Sequence, residues 1–412
     1  MNSKYSKLIK SCQISKKKDL KNILSLGYLP PVNKLVKIGH DNQEIKFFST
    51  NLVFSESSRL AQLDTIVDKE ILFPKEYPYT SSTTKILREN FQNLYQECSK
   101  ILRLKKNDLI IDIGSNDGNL LSNFVKKHKV LGVTPENIGK IARKKGIRTI
   151  IDYFSTKISK KILKQYGAAK VITATNVFAH IDDLSELLKN IKRILDKDGV
   201  FVTESHYFLN LIETLQYDTI YHEHLRYYSL QSLKFLFDKY NLEIFHAKQI
   251  PTHGGSIRVY AAHKGKFKKT KSVKIIEKKE KNSLNWKNFK KFKFNVIQSK
   301  IKINKILLDI KKKNKTVFGI GAPSRASTLI NYTGINENLV SCVCEIDGSY
   351  KIGNYMPGTD IPIVSEKKLY KDKPEYVILF SWHIAKELKI NLKKRGFKGK
   401  FILPLPFPRI EK

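Results

Sequence analysis

Cysteine is scarce: the 412 residues contain four, at positions 12, 98, 342 and 344. That scatter makes no disulfide framework. Cys342 and Cys344 alternate within the apolar run "LVSCVCEID", which puts them on one face of a strand and fits a reducing compartment. Long hydrophobic runs are lacking as well. No stretch approaches the roughly 18 apolar residues of a membrane span, and the opening "MNSKYSKLIKSCQISKKKDL" has no apolar core of the kind a secretory signal needs. A soluble, cytoplasmic protein without a membrane span is expected. Acidic residues are few, 38 against 76 Lys and Arg, for a net charge of +38. Such a charge invites a nucleic-acid reading through phosphate neutralisation. The excess, however, is nearly all lysine, spread through segments such as "KIIEKKEKNSLNWKNFKKFKFN" that read as solvated helix faces, and no RNA-binding module is recognisable. No nucleic-acid partner is expected, whereas an acidic small ligand suits this field. No short-period repeat is visible.

What is present points to several packed units. A chain of this length exceeds one ordinary core, and a hydrophobic share of 41% suffices to bury two or three. Residues 1–80 are broken by "GYLPP" and "FPKEYPYTSS" and read as a small irregular unit. Over residues 81–264 the short β-branched runs "DLIIDIG", "KVLGVTP", "AKVITATN" and "GVFVTES" alternate with amphipathic stretches such as "LSELLKNIKRIL", the pattern of a doubly wound α/β sheet. "LEIFHAKQI", a turn at "PTHGG" and "SIRVYAAHK" close it as an antiparallel pair. Residues 265–412 begin with a basic helical segment and continue as a second α/β unit through "KTVFGIGAPSRASTLI", "LVSCVCEID", "YVILFSW" and "GKFILPLP".

Three stretches carry candidate chemistry. In "IIDIGSNDGNLL" a strand ending in an acid runs through a Gly-rich turn into a helix. Its spacing, with Asp112, Gly114 and Gly118 and with Asn116 where a dinucleotide fold would want glycine, fits the S-adenosylmethionine site of a class I methyltransferase better than a phosphate loop. "TATNVFAHIDDL" follows a strand whose C-terminal end lines the ligand crevice of such sheets, so Asn176 and His180 lie near cofactor and substrate. "DTIYHEHLRYYS" concentrates His222, Glu223 and His224 behind Tyr221. It is not a zinc motif, because His222 and His224 are not spaced i, i+4 on one helix face.

The runs "DIGSNDGNLL", "TNVFAHIDDL", "YDTIYHEHLRYYSL", "HGGSIRVY", "GAPSRASTLIN" and "IGNYMPGTDIPI", in this order, resemble the sugar C-methyltransferase family, which acts on nucleotide-linked keto sugars. The resemblance implies an N-terminal zinc-binding unit, a class I methyltransferase domain and a C-terminal Rossmann-like domain. It implies proton removal beside a 4-keto group and methylation of the resulting enolate, in the making of a surface polysaccharide or related glycoconjugate. His224 is then the base, with Tyr221, Glu223, His180 and Tyr79 around it. Asp112, Gly114, Ser115, Asn116, Asp117, Gly118 and Asn176 hold S-adenosylmethionine, and His222, Ser324, Arg325 and Lys351 reach the nucleotide sugar. His222 is as readily read as structural.

Two departures stand out. The family's two CxxC pairs have become "CQIS", Cys12 to Ser15, and "SESS", Ser55 to Ser58, so no structural zinc is expected. Thr134, in "LGVTPEN", stands where the family has an acid for the cofactor ribose, and Glu136 is expected to replace it only in part.

Overall fold

The computed structural model describes residues 4–40, 45–72 and 85–412. Its largest sheet has seven strands, here numbered β1 (Leu109–Ile113), β2 (Lys129–Thr134), β3 (Thr149–Ile151), β4 (Ala169–Thr175), β5 (Leu195–His206), β6 (Leu242–Ile250) and β7 (Ser256–His263). Their spatial order is β6-β7-β5-β4-β1-β2-β3, parallel except for β7, which runs antiparallel to β5 and β6. β1 reads LIIDI with every residue buried, as a strand covered by helices on both faces must be. The order reverses between β1 and β4, and the loops leaving the C-terminal ends of those strands open a crevice there. This is the class I methyltransferase arrangement.

The N-terminal segment is more regular than its turn-rich sequence predicts. It builds a four-stranded antiparallel sheet from Leu20–Leu29, Phe48–Ser55, Leu60–Leu63 and, from far along the chain, Arg226–Tyr227. The segment "HEHLRYY" is thus pinned between this sheet and the methyltransferase sheet. After β7 the helices Lys271–Ser283 and Trp286–Lys311 lead to a six-stranded sheet ordered Ile363–Ser365, Val343–Glu345, Val317–Ile320, Tyr376–Leu379, Lys400–Leu403 and Arg409–Glu411, parallel but for the last strand. Cys342 and Cys344 are both buried there, on the face expected. A short ladder pairs Asn354–Tyr355 with Val36–Lys37, so the N-terminal unit pairs with strands from both later parts of the chain. No helix among the described residues is long and apolar enough to cross a membrane.

Candidate active site

The loop after β1 is folded by three left-handed residues, Gly114 (φ 76°), Asn116 (φ 49°) and Gly118 (φ 78°). The amides of Gly114 and Ser115 both donate to the carbonyl of Val133 on β2, at 2.8 and 3.2 Å. Asp112 accepts a 2.6 Å hydrogen bond from Thr173 Oγ1 on β4, and burial pushes its carboxyl up to about 7. Asp117 is buried and paired with Lys145 at 3.0 Å, which braces the loop from beneath. Ser115 Oγ is buried with no hydrogen-bond partner among the described residues. A Cβ on Gly114 would lie 2.4 Å from Val177 Cγ2. That glycine is therefore demanded by the neighbouring Asn176–Val177 loop, not by the close approach of a ligand that its sequence context suggests. Asn176 is itself left-handed (φ 57°) and donates its amide to the Glu204 carbonyl on β5 at 2.9 Å.

The expectation about Thr134 needs correction. Thr134 is buried, and its methyl group packs on Gly139, where an added Cβ would lie 2.8 Å from Thr134 Cγ2. Glu136, two residues on, lies beside the β1 loop, with Asn116 Nδ2 donating to its Oε2 at 3.5 Å, and burial raises its pKa. The acid of this loop is Glu136, while position 134 faces the packed side of the strand.

Across the crevice lies a cluster of rings. The His224 imidazole is 4.2 Å from the Tyr221 ring, 5.2 Å from His180 and 6.5 Å from His206, centroid to centroid. His224 Nδ1 is 3.0 Å from the Thr219 carbonyl and His180 Nδ1 is 2.7 Å from the Glu223 carbonyl. A carbonyl only accepts, so in each ring Nδ1 carries the proton and Nε2 is left basic. Burial, and then the neighbouring His180 and His206, hold His224 well below the usual imidazole range; burial lowers His180 too.

His206, at the end of β5, was not singled out in the sequence. Its Nε2 donates to Gln216 Oε1 at 3.1 Å, because Gln216 Nε2 is committed as a donor to the Gly254 carbonyl (2.7 Å) and Thr214 Oγ1 (2.6 Å). The "HGG" turn exists to seat this arrangement. A Cβ on Gly254 would fall 2.8 Å from Gln216 Oε1, and one on Gly255 1.9 Å from Asn210 Nδ2.

The remaining sequence candidates separate. His222 points away from the cluster into the N-terminal sheet, with Nε2 at 3.0 Å from Thr50 Oγ1 and 3.2 Å from the Ser49 carbonyl. It bolts the methyltransferase unit to the N-terminal sheet, the structural role that the sequence left open beside substrate binding. Arg325 is also occupied: its guanidinium forms a buried bidentate pair with Asp218, at 2.7 and 2.8 Å, and donates to His383 Nδ1 at 3.2 Å. Asp218 takes a further hydrogen bond from Trp382 Nε1 at 2.8 Å. This network locks the C-terminal sheet onto the histidine-bearing segment, with Arg325 as its brace. Lys351 Nζ donates to the Ala322 carbonyl at 2.6 Å, and burial lowers its pKa. Ser324 Oγ donates to Asn33 Oδ1 (3.1 Å), and Asn33 Nδ2 donates to Glu223 Oε1 (2.7 Å). Asn33 thus joins all three units at the site, a role its position in a turn-rich stretch did not signal. Tyr79 lies outside the described residues. Among the described residues no group of three or more His, Cys, Asp and Glu side chains is placed to hold a metal ion.

Family models match the chain in three consecutive pieces: a zinc binding domain over residues 12–73, a methyltransferase domain over 84–247, and a C-methyltransferase C-terminal domain over 251–406. C-methyltransferase NovU of Streptomyces niveus is 29% identical over 410 residues, covering 98% of this chain and 97% of that relative. The chain is thus similar along nearly its whole length to a C-methyltransferase, and its two larger pieces match methyltransferase family models. Solved structures similar to it include an S-adenosylmethionine-dependent methyltransferase of Clostridium acetobutylicum (15% identity, TM-score 0.34, covering 45% of this chain and 94% of that one). Another is magnesium protoporphyrin IX methyltransferase of Synechocystis with bound S-adenosylmethionine (10% identity, TM-score 0.33, covering 46% and 87%).

The β1 loop fits the cofactor that the class I methyltransferase fold implies. Glu136 and Asn116 would hold the ribose hydroxyls, with an acceptor and a donor side by side, and Ser115 Oγ is a buried hydroxyl with no hydrogen-bond partner among the described residues.

Proposed function

We propose that this C-methyltransferase methylates a nucleotide-activated keto-deoxysugar at the carbon next to its keto group, through an enolate made by His224. The observation that carries the reading is the His224 tautomer: Nδ1 is tied to the Thr219 carbonyl, which leaves Nε2 unprotonated. Its depressed pKa keeps that nitrogen neutral across the physiological range.

S-adenosylmethionine, when bound at the β1 loop, supplies an electrophilic methyl group. The chain's own residues do the rest. His224 Nε2 takes the proton from the carbon beside the ketone. Tyr221, whose ring lies against that of His224, offers a hydroxyl to the developing enolate oxygen, and hydrogen-bond donors aimed at developing charge are worth about 3–4 kcal/mol in a dry site. His180, its Nδ1 tied to the Glu223 carbonyl, lies beside His224 and helps to keep that imidazole neutral. Glu223, held by Asn33 and flanked by Ser324, faces the sugar hydroxyls, with Tyr79 assigned to the same end of the substrate. The lysine-rich field favours the nucleotide phosphates. Methyl transfer to oxygen or nitrogen of another acceptor needs no carbon acid to be deprotonated, and a non-catalytic binder needs no base at all.

The experiment follows the substrate's α-hydrogen in deuterated solvent. Wild-type protein with thymidine- or guanosine-linked 4-keto sugars exchanges it, and labelled cofactor leaves a methyl group on carbon. Absence of both across the panel, with O- or N-methyl product found instead, overturns the reading.

A further inference from the structure

The N-terminal unit closes on two turns of matched shape. In the first, two residues separate Cys12 from Ser15, and Lys16 follows in left-handed backbone (φ 66°); in the second, two residues separate Ser55 from Ser58, and Arg59 follows (φ 58°). The turns meet across 46 residues of chain, where Cys12 Sγ lies 3.1 Å from Ser58 Oγ. Ser58 Oγ donates to Ser55 Oγ at 3.0 Å, and Ser55 Oγ donates to the Asp19 carboxylate at 2.9 and 3.0 Å. The Asp19 carboxylate also accepts the Ser57 amide at 2.9 Å, and the Ser15 amide points at Cys12 Sγ at 3.4 Å. Cys12, Ser55 and Ser58 are wholly buried.

Proton counting gives the chain a direction. A carboxylate only accepts, so Ser55 donates its single proton to Asp19, Ser58 donates its own to Ser55, and the Cys12 thiol proton is left to face Ser58. Each link strengthens the next in a buried site. The same counting excludes zinc. A structural zinc takes four deprotonated or neutral-base ligands, and alcohol hydroxyls stay protonated at neutral pH, so one thiol and three serines do not make the donor set that the matched zinc binding domain calls for.

We propose that a thiol-to-carboxylate chain of hydrogen bonds, Cys12–Ser58–Ser55–Asp19, closes this unit in place of a metal ion, on turns that keep the shape of a metal clasp. The consequence reaches the active site. Ser55 and Thr50 share the strand Phe48–Ser55, and Thr50 holds His222. The strand Leu60–Leu63, which follows Ser58, pairs with Arg226–Tyr227. The clasp therefore fixes both strands that seat "HEHLRYY", and does so whether or not zinc is available.

The test uses the full chain and three measurements. Elemental analysis of the dialysed wild type finds no stoichiometric zinc, and EDTA leaves its melting temperature unchanged. The triple variant Ser15→Cys, Ser55→Cys, Ser58→Cys retains one zinc per chain, binds cobalt(II) with thiolate charge-transfer absorption, and melts lower when EDTA is added. Ser58→Ala, which removes the hydroxyl joining Cys12 to Ser55, melts lower than the wild type, and zinc does not restore it. One zinc per wild-type chain, a wild-type melting point that drops with EDTA, or an unchanged Ser58→Ala overturns the hydrogen-bonded closure. A triple variant that folds but takes no metal overturns the clasp geometry. Should the triple variant not fold, the wild-type metal content and Ser58→Ala decide.

Discussion

His224 is the residue on which the proposed chemistry turns, and its neighbours explain why an imidazole can serve there. Its depressed pKa comes from burial first and from His180 and His206 second, and the fixed Nδ1 proton removes any need to choose a tautomer on binding. His224→Asn is expected to leave folding and cofactor affinity intact and to lower kcat by about a hundredfold to ten-thousandfold, the usual range for loss of a general base, with α-hydrogen exchange falling in parallel. Exchange at the wild-type rate in that variant would assign the base elsewhere. Glu136 sets a second residue-scale expectation. A hydrogen bond to a charged group contributes about 1.5–3 kcal/mol, so Glu136→Ala should weaken S-adenosylmethionine binding roughly 10- to 100-fold by calorimetry. Thr134→Asp should not tighten it. The new carboxylate would be buried against Gly139, facing away from the Asn116 loop, and the variant should instead be less stable.

At the scale of elements, the brace formed by Asp218, Arg325, Trp382 and His383 holds the C-terminal sheet against the segment that carries the base. Removing one partner of a buried ion pair leaves the other charge uncompensated, at a cost of about 3–5 kcal/mol. Arg325→Met should therefore lower the denaturation midpoint and raise KM through a shifted histidine segment, while S-adenosylmethionine affinity stays unchanged because the β1 loop is not in contact with the brace. Equal loss of cofactor affinity would argue against this division. Elements were also the most legible part of the sequence. Buried strands such as β1 and β4 announce themselves by short β-branched runs, and the Gly-rich turn after β1 by its spacing, because local periodicity and backbone sterics decide both. What each polar side chain touches was less legible. Arg325 and His222 looked like ligand groups, yet their partners, Asp218 and Thr50, lie 107 and 172 residues away and are brought to them only by packing of separate units. Asn33 and His206 gave no signal for the same reason: a lone Asn after a turn and a lone His after a strand carry no pattern. The N-terminal strands were hidden by punctuation, since "GYLPP" and "SESS" mark the ends of strands as readily as they mark irregular chain.

The molecule as a whole buries an unusual number of neutral imidazoles at the junction of its three units, and that makes its stability depend on pH in a definite sense. His206 and His383 are held at about 3 and His222 at about 4, with burial the leading cause for each, and His224 lies well below its ordinary value. In the unfolded chain each titrates near 6.5. Below that value the unfolded state binds protons that the folded state refuses, so stability falls with pH throughout the window from about 6.5 down to the folded values, and it is complete only above 6.5. Each imidazole contributes a slope of about 1.4 kcal/mol per pH unit inside the window. Asp112, raised by burial to about 7, and Glu136, Glu204 and Glu280, raised by burial as well, slope the opposite way, but His180, His246 and His253 are also lowered by burial, so seven imidazoles stand against four carboxyls. Denaturant midpoints measured at pH 7.5, 6.5, 5.5 and 5.0 should hold nearly level to 6.5 and then drop with increasing steepness. His222→Gln tests the attribution: it keeps a polar side chain facing Thr50 but cannot charge, so its midpoint should fall less steeply between pH 6.5 and 5.0 than that of the wild type, even if it starts lower. A variant profile parallel to the wild type would show that other groups, and not these histidines, govern the acid limit of the fold.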